Sequence, residues 1–251
     1  MNIDLNGRVA IITGATGGIG TAISYELYNS GATVILNGRN MEKLETLAHN
    51  LIANGPDTNR IACVKTDLEQ NGAPNKIINK AIERFKHIDI LVNNAALLSG
   101  GLIVQTNQAN SERMMLLNYT VPYLLCQNAL GYMKKQRWGR IINITSVAGQ
   151  CGDRGMVAYA SSKAALASLT KTICTEYARY NVTANSIAPG IIETSAIKLM
   201  KPEYVENIKK SIPAQRFGKP EEIAALVAFL SSQHGAYING QEISVNGGLY
   251  R

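Results

Sequence analysis

Residues 8–20 read RVAIITGATGGIG. Val9 to Thr13 are apolar or β-branched throughout, and four of the seven residues from Gly14 to Gly20 are glycine. An apolar run without polar alternation is the pattern of a strand covered on both faces, as in parallel sheets. Gly14, Gly18 and Gly20 fall where the chain must turn sharply and then begin a helix. Their missing side chains let backbone amides approach a pyrophosphate, which the helix N-terminus also attracts. Strand, glycine turn and helix in immediate succession read as the opening of a dinucleotide-binding βαβ unit.

The same rhythm repeats outward from this stretch. Strands are expected at Arg8–Thr13, Thr33–Asn37, Ile61–Thr66, Ile88–Val92, Arg140–Thr145, Val182–Ala188 and Glu242–Val245. Helical patterns lie between them near 18–30, 40–54, 73–86, 111–135, 157–180 and 220–231. Repeated βα units with right-handed crossovers give an α/β fold: a doubly wound, Rossmann-like parallel sheet with helices on both faces. No Pro/Gly/Ser linker divides the chain, so residues 1–251 are expected to form a single domain. The segment 190–219, with Pro202, Pro213 and Pro220 near it, reads as an excursion from the sheet that covers the site.

Composition narrows the function classes. Of 251 residues, 46% are hydrophobic and only 6% aromatic, enough apolar material for a core built from aliphatic residues. Cys63, Cys126, Cys151 and Cys174 form no CxxC pair, and with three histidines no metal site is expected. No run of 18 apolar residues occurs and no leader pattern opens the chain, so a cytoplasmic protein without membrane contact is expected. The net charge of +7 collects in two loose clusters, Lys134–Arg140 and Lys198–Lys219. Neither carries the interleaved aromatics of a nucleic-acid motif. Both read as solvated surface or as attraction for an acidic or phosphorylated substrate.

Two further features carry chemistry. The second strand ends in VILNGRN, with Arg39 where dinucleotide folds often place the acid that binds ribose hydroxyls. A guanidinium there suits a 2′-phosphate, so NADP(H) is favoured over NAD(H). In VAYASSKAAL (157–166), Tyr159 and Lys163 stand four residues apart and leave one helix face together. A tyrosine ionises near pH 10, too high for acid–base work at neutral pH, and a neighbouring ammonium would favour its phenolate.

Taken in order, these motifs resemble the short-chain dehydrogenase/reductase family. The resemblance rests on TGATGGIG, on NNAA at 93–96, on Asn118, Ser146, Tyr159 and Lys163, and on NSIAPGIIET and INGQEISVNGG. It implies a catalytic set of Asn118, Ser146, Tyr159 and Lys163. Tyr159 would serve as proton donor and Ser146 as holder of the substrate oxygen. Lys163 would also bind the nicotinamide ribose, and Asn118 would support a water-linked proton relay. It implies cofactor contacts from Gly14, Thr16, Gly17, Gly18, Ile19, Gly20, Arg39, Asp67, Leu68, Asn93, Ala95, Tyr159, Lys163, Ile192 and Thr194. Asp67 also reads as a helix N-cap.

Two positions depart from the pattern. Gly17 stands where many NADP-using relatives carry a base. Ala96 replaces a common glycine, at a cost if that residue needs positive φ. Within the family, RFGKPEEIAALVAFLSS and the terminal VNGG point toward 3-oxoacyl-[acyl-carrier-protein] reductases, whose acidic carrier would meet the basic clusters. Sugar, steroid and other secondary-alcohol dehydrogenases share these motifs, and a catalytically idle NADPH-binding sensor stays open. The long helices 111–135 and 157–180 resemble those that pair in family homotetramers or dimers.

Overall fold

Seven strands lie in one sheet in the order β3-β2-β1-β4-β5-β6-β7, every neighbouring pair parallel. They are β1 (Val9–Ile12), β2 (Thr33–Gly38), β3 (Ile61–Lys65), β4 (Ile90–Asn93), β5 (Gly139–Ile144), β6 (Val182–Pro189) and β7 (Glu242–Val245). The structure is a computed structural model that describes residues 3–53, 58–194, 197 and 201–250. Asn54, at the end of the second expected helix, and Lys198, at the start of the second basic cluster, lie outside the described residues.

Strand registers explain why the strands read as apolar throughout. Ala10, Ile12, Val34, Leu36, Ile90 and Val92 point to one face, among residues of α1 (Gly18–Asn29), α2 (Met41–Ala53) and α9 (Pro220–Ser231). Val9, Ile11, Ile35 and Leu91 point to the other, against α3 (Ala73–Phe85), α5 (Val121–Gln136) and α7 (Val157–Tyr177). With both faces covered, each buried Leu, Ile or Val side chain contributes about 1.5–3 kcal/mol. Among the described residues no helix is long and apolar enough to cross a membrane.

The sheet order reverses at β1. The chain steps outward through β2 and β3, then returns to place β4 on the other side of β1. Loops leaving β1 and β4 therefore diverge, and a crevice opens between them at the C-terminal strand ends.

Three helical features differ from the sequence pattern. The expected helix 111–135 is three pieces: α4 (Gln108–Met115), a π-helical turn (Leu116–Thr120) and α5. Asn107 starts it earlier, its side chain accepting from the Asn110 amide at 2.8 Å. Pro122 has no N–H for the carbonyl of Asn118, and the helix widens there. The short α6 (Val147–Cys151) and α8 (Pro202–Ser211) were not anticipated. α8 sits within the excursion, whose base closes where Gly218 donates to Ile191 O at 2.9 Å and Glu193 donates to Gly218 O at 2.8 Å.

Candidate active site

The glycine turn is built by close approach. Gly14 has φ +63°, and a Cβ there would lie 2.9 Å from the Cα of Ala95. A Cβ on Gly20 would run into the carbonyl oxygen of Gly14, and one on Gly18 would come within 3.0 Å of Thr194 Cγ2. Gly17 differs, because its Cβ would meet Gly14 O at an ordinary 3.4 Å. Glycine is a steric necessity at 14 and 20 and a free choice at 17. Asn94 pins the turn to the end of β4, donating from Nδ2 to Thr13 O at 2.9 Å and to Gly14 O at 3.2 Å. Thr13 Oγ1 in return accepts the amides of Asn94 and Ala95 at 3.0 and 3.1 Å.

A cavity of about 470 Å³ runs along this turn. Thr16, Gly17, Gly18 and Ile19 line it, with Asn37, Gly38 and Arg39 from the end of β2. Asp67, Leu68 and Glu69 enter after β3, and Asn94, Ala95, Ala96 and Leu97 after β4. Arg113, Leu117 and Thr194 complete the wall. Asn93, expected here, turns the other way. Its buried side chain donates to Asn143 Oδ1 at 2.8 Å and Cys126 Sγ at 3.4 Å, on the face of the sheet that α5 covers. The next residue, Asn94, takes the cavity position, because successive strand residues alternate faces.

Two local expectations are resolved. Asp67 is not a helix N-cap: α3 is preceded by Gly72, and Asp67 Oδ1 accepts the Glu69 amide at 3.1 Å in a tight turn. Ala96 is absent from the positive-φ residues, so replacing the common glycine carries no backbone strain. Ile192 buries its side chain in the core. The bridge at the excursion's base uses backbone groups of Ile191 and Glu193, and among the described residues the backbone groups of Ile192 take no part in it.

Asn118, Ser146, Tyr159 and Lys163 do not line the cavity; they stand beside it and are joined to it through Leu97. Asn118, fully buried in the π-helical turn, accepts the Leu97 amide at 2.8 Å and donates to the Leu97 carbonyl at 2.9 Å. Its Nδ2 also donates to Ser162 Oγ at 3.0 Å, and Ser162 donates to the Tyr159 carbonyl at 2.7 Å. A continuous set of bonds thus links cavity wall and helix α7. Ser162, lying between Tyr159 and Lys163, is not among the residues the sequence pattern singles out; its hydroxyl was the available signal.

Ser146 follows β5 and caps α6, accepting the Ala148 amide at 3.2 Å. A close approach of α6 to α7 brings it to Tyr159, because a Cβ on Gly149 would lie 3.0 Å from Lys163 Cβ and the Ala164 amide. Burial raises the phenol of Tyr159, and a side-chain hydrogen bond from Ser146 opposes that rise. Lys163 is 2% exposed and donates to the Ile144 carbonyl at 2.7 Å. Burial pushes its ammonium down to about 7, while its Nζ lies 5.8 Å from the centroid of the Tyr159 ring. The expected depression of the phenol by this cation is therefore not seen here. Both groups lose hydration, and at neutral pH the amine is only partly charged.

Comparison with known proteins places this geometry. Across 254 aligned residues the chain is 40% identical to "3-oxoacyl-[acyl-carrier-protein] reductase FabG" of Aquifex aeolicus (strain VF5), covering 100% of both proteins. A family model described as enoyl-(acyl carrier protein) reductase matches residues 14–250. The fold superposes with a TM-score of 0.92, at 31% identity over 100% of each chain, on a crystal structure from Brucella melitensis titled short-chain dehydrogenase/reductase SDR:glucose/ribitol dehydrogenase. The chain belongs to the short-chain dehydrogenase/reductase family. A further relative, "Nodulation protein G" of Rhizobium sp. (strain N33), is 39% identical and covers 98% of both chains. As a family member the chain is an oxidoreductase that works with a nicotinamide dinucleotide, and the cavity's residues fit such a group. The cavity runs along the glycine turn at the start of α1, where a pyrophosphate would meet backbone amides, and Arg39 supplies a cation at the end of β2.

Proposed function

We propose that the chain is an NADPH-dependent reductase that turns a carbonyl into a secondary alcohol, or runs the reverse, with a 3-oxoacyl thioester as substrate class. The observation that carries it is the placement of Ser146, where α6 closes on α7, near the half-buried Tyr159, one helical turn from Lys163 and at the strand ends beside the glycine turn. The reduced nicotinamide supplies the hydride. Ser146 donates a hydrogen bond to the carbonyl oxygen and holds it beside the phenol. In the reductive direction Tyr159 gives that oxygen its proton. Lys163, fixed by its bond to the Ile144 carbonyl, holds the cofactor ribose. Asn118 fixes the backbone of Leu97 and supports proton supply to the amine. Arg39 meets the 2′-phosphate with charge-assisted hydrogen bonds, while the backbone of Ile192 and the Thr194 hydroxyl take the carboxamide end.

The substrate class is supported by the name of the Aquifex relative and by surface charge. Lys134, Arg137 and Arg179 all stand over the ring of Tyr180, at 5.0, 6.0 and 4.9 Å from its centroid. An acidic carrier protein bearing the acyl thioester would be drawn to such a surface. The same reading takes the chain as one domain, with 190–219 folding over the substrate. It takes the assembly as a homotetramer or dimer formed through the long helices.

The test is a substrate screen with both dinucleotides, followed by loss of the reduced nicotinamide's absorbance. Acetoacetyl thioesters on coenzyme A and on carrier protein should consume NADPH faster than NADH. Tight NADPH binding without consumption of any carbonyl would overturn the enzyme reading. Turnover confined to sugar or steroid carbonyls would overturn the substrate class.

A further inference from the structure

Four charged side chains share the cavity end that Arg39 occupies: Arg39 itself, Asp67, Glu69 and Arg113. Glu69 and Arg113 stand 44 positions apart in sequence, on the loop after β3 and on α4, and close on each other. Arg113 Nε donates to Glu69 Oε2 and Arg113 Nη2 to Glu69 Oε1, each at 2.6 Å. Both carboxylate oxygens are engaged by one planar fork, the geometry in which an arginine pair is strongest and most directional. Arg113 is also five residues before Asn118 on the helix that reaches the catalytic set.

Arg39 has no hydrogen bond among the described residues, although Glu69 lies within its field: the Arg113 pair first, and the charge of Arg39 after it, hold the Glu69 carboxyl below its usual range. Two cations therefore compete for one carboxylate, and Arg113 holds it. If Arg113 released it, Glu69 would be an unpaired anion at the same end of the cavity as the guanidinium proposed to bind a 2′-phosphate. It would neutralise Arg39 and repel the phosphate, and it would offer an acceptor to a bare ribose 2′-hydroxyl instead. In dinucleotide folds an acid in that role marks NAD use.

Resting on the NADPH reading above, we infer that Arg113 is a positioning residue for cofactor choice. By holding Glu69 in a closed bidentate pair, it keeps Arg39 available to a 2′-phosphate.

The test is the ratio of NADPH to NADH affinity, measured by fluorescence titration on the wild type, Arg113→Gln, Glu69→Gln and the double variant, with folding checked by thermal melting. Arg113→Gln should lower the ratio about tenfold, the order of one added like charge near a phosphate at a partly exposed site. Glu69→Gln breaks the same charged pair yet removes the anion, so its ratio should stay level or rise. The double variant should regain the wild-type ratio. Equal weakening of both cofactors by Arg113→Gln, or an unrescued double variant, would show that the pair is only a brace and overturn the inference. A wild type that prefers NADH would instead overturn the underlying NADPH reading, and that result comes before any variant is made.

Discussion

Lys163 makes stability depend on pH in a direction opposite to that of a salt-bridged lysine. Its ammonium is buried with one hydrogen bond, to the Ile144 carbonyl at 2.7 Å, and no carboxylate pairs with it among the described residues. Burial moves its pKa from 10.5 to about 7. The unfolded chain keeps the proton up to 10.5, whereas the folded chain releases it near 7. Between those values the unfolded state binds more protons, so stability rises with pH. At about 1.4 kcal/mol per pH unit, the difference between 10.5 and about 7 corresponds to roughly 5 kcal/mol, and the rise from pH 7 to 9, which starts with the amine half titrated, to roughly 2 kcal/mol. Tyr159 and Cys126 are pushed upward by burial and titrate above this range. The assay is urea unfolding without added dinucleotide, across that window, on the wild type and on Lys163→Met. The wild type should gain stability relative to the variant by roughly 2 kcal/mol between pH 7 and 9. Parallel pH profiles would refute the claim that burial sets the state of this amine.

Other perturbations separate the parts of the site. Gly20→Ala puts a Cβ into the carbonyl oxygen of Gly14 and 2.8 Å from Asn94 Nδ2. It should cost about 1–3 kcal/mol in urea unfolding and weaken dinucleotide binding. Gly17→Ala, with only a 3.4 Å contact, should change neither appreciably. Arg39→Asp should move the NADPH-to-NADH affinity ratio toward NADH by tenfold or more, on the order of 1.5–3 kcal/mol for a lost charge-assisted bond; an unchanged ratio would remove the 2′-phosphate role. Asn118→Ala strips partners from both backbone groups of Leu97. It should destabilise by about 1–3 kcal/mol and reduce turnover, which unfolding and rate measurements read separately.

The parts legible in the sequence were those set by local pattern. RVAIITGATGGIG announced a doubly covered strand and a tight turn, and the observed Gly14 and Gly20 contacts are the steric reason for those glycines. The runs that became β1, β2, β4, β5 and β6 lack polar alternation because both faces are buried, whereas β7, at the sheet edge, is only partly covered. The side of the chain that a residue faces at a strand end was less legible. Asn93 and Asn94 are identical in type, and only the pleat decides that Asn94 reaches the cavity while Asn93 goes beneath it. The π-helical turn was missed as well, although Pro122, which has no N–H for the carbonyl of Asn118, marks where it falls. The Glu69–Arg113 pair and the Leu97–Asn118–Ser162 bonds join residues far apart in sequence. No spacing rule reaches across such distances. The charge state of Lys163 depends on burial, which spacing to Tyr159 does not report.

The central claim is that Tyr159, held by Ser146 at the strand ends, delivers the substrate's proton. Its most direct test is Tyr159→Phe, assayed for NADPH consumption with an acetoacetyl thioester alongside NADPH affinity by fluorescence titration. Affinity should stay within about threefold of wild type while turnover falls by about a hundredfold or more, the usual worth of a positioned general acid. Turnover near the wild-type rate, with NADPH still bound, would contradict the account.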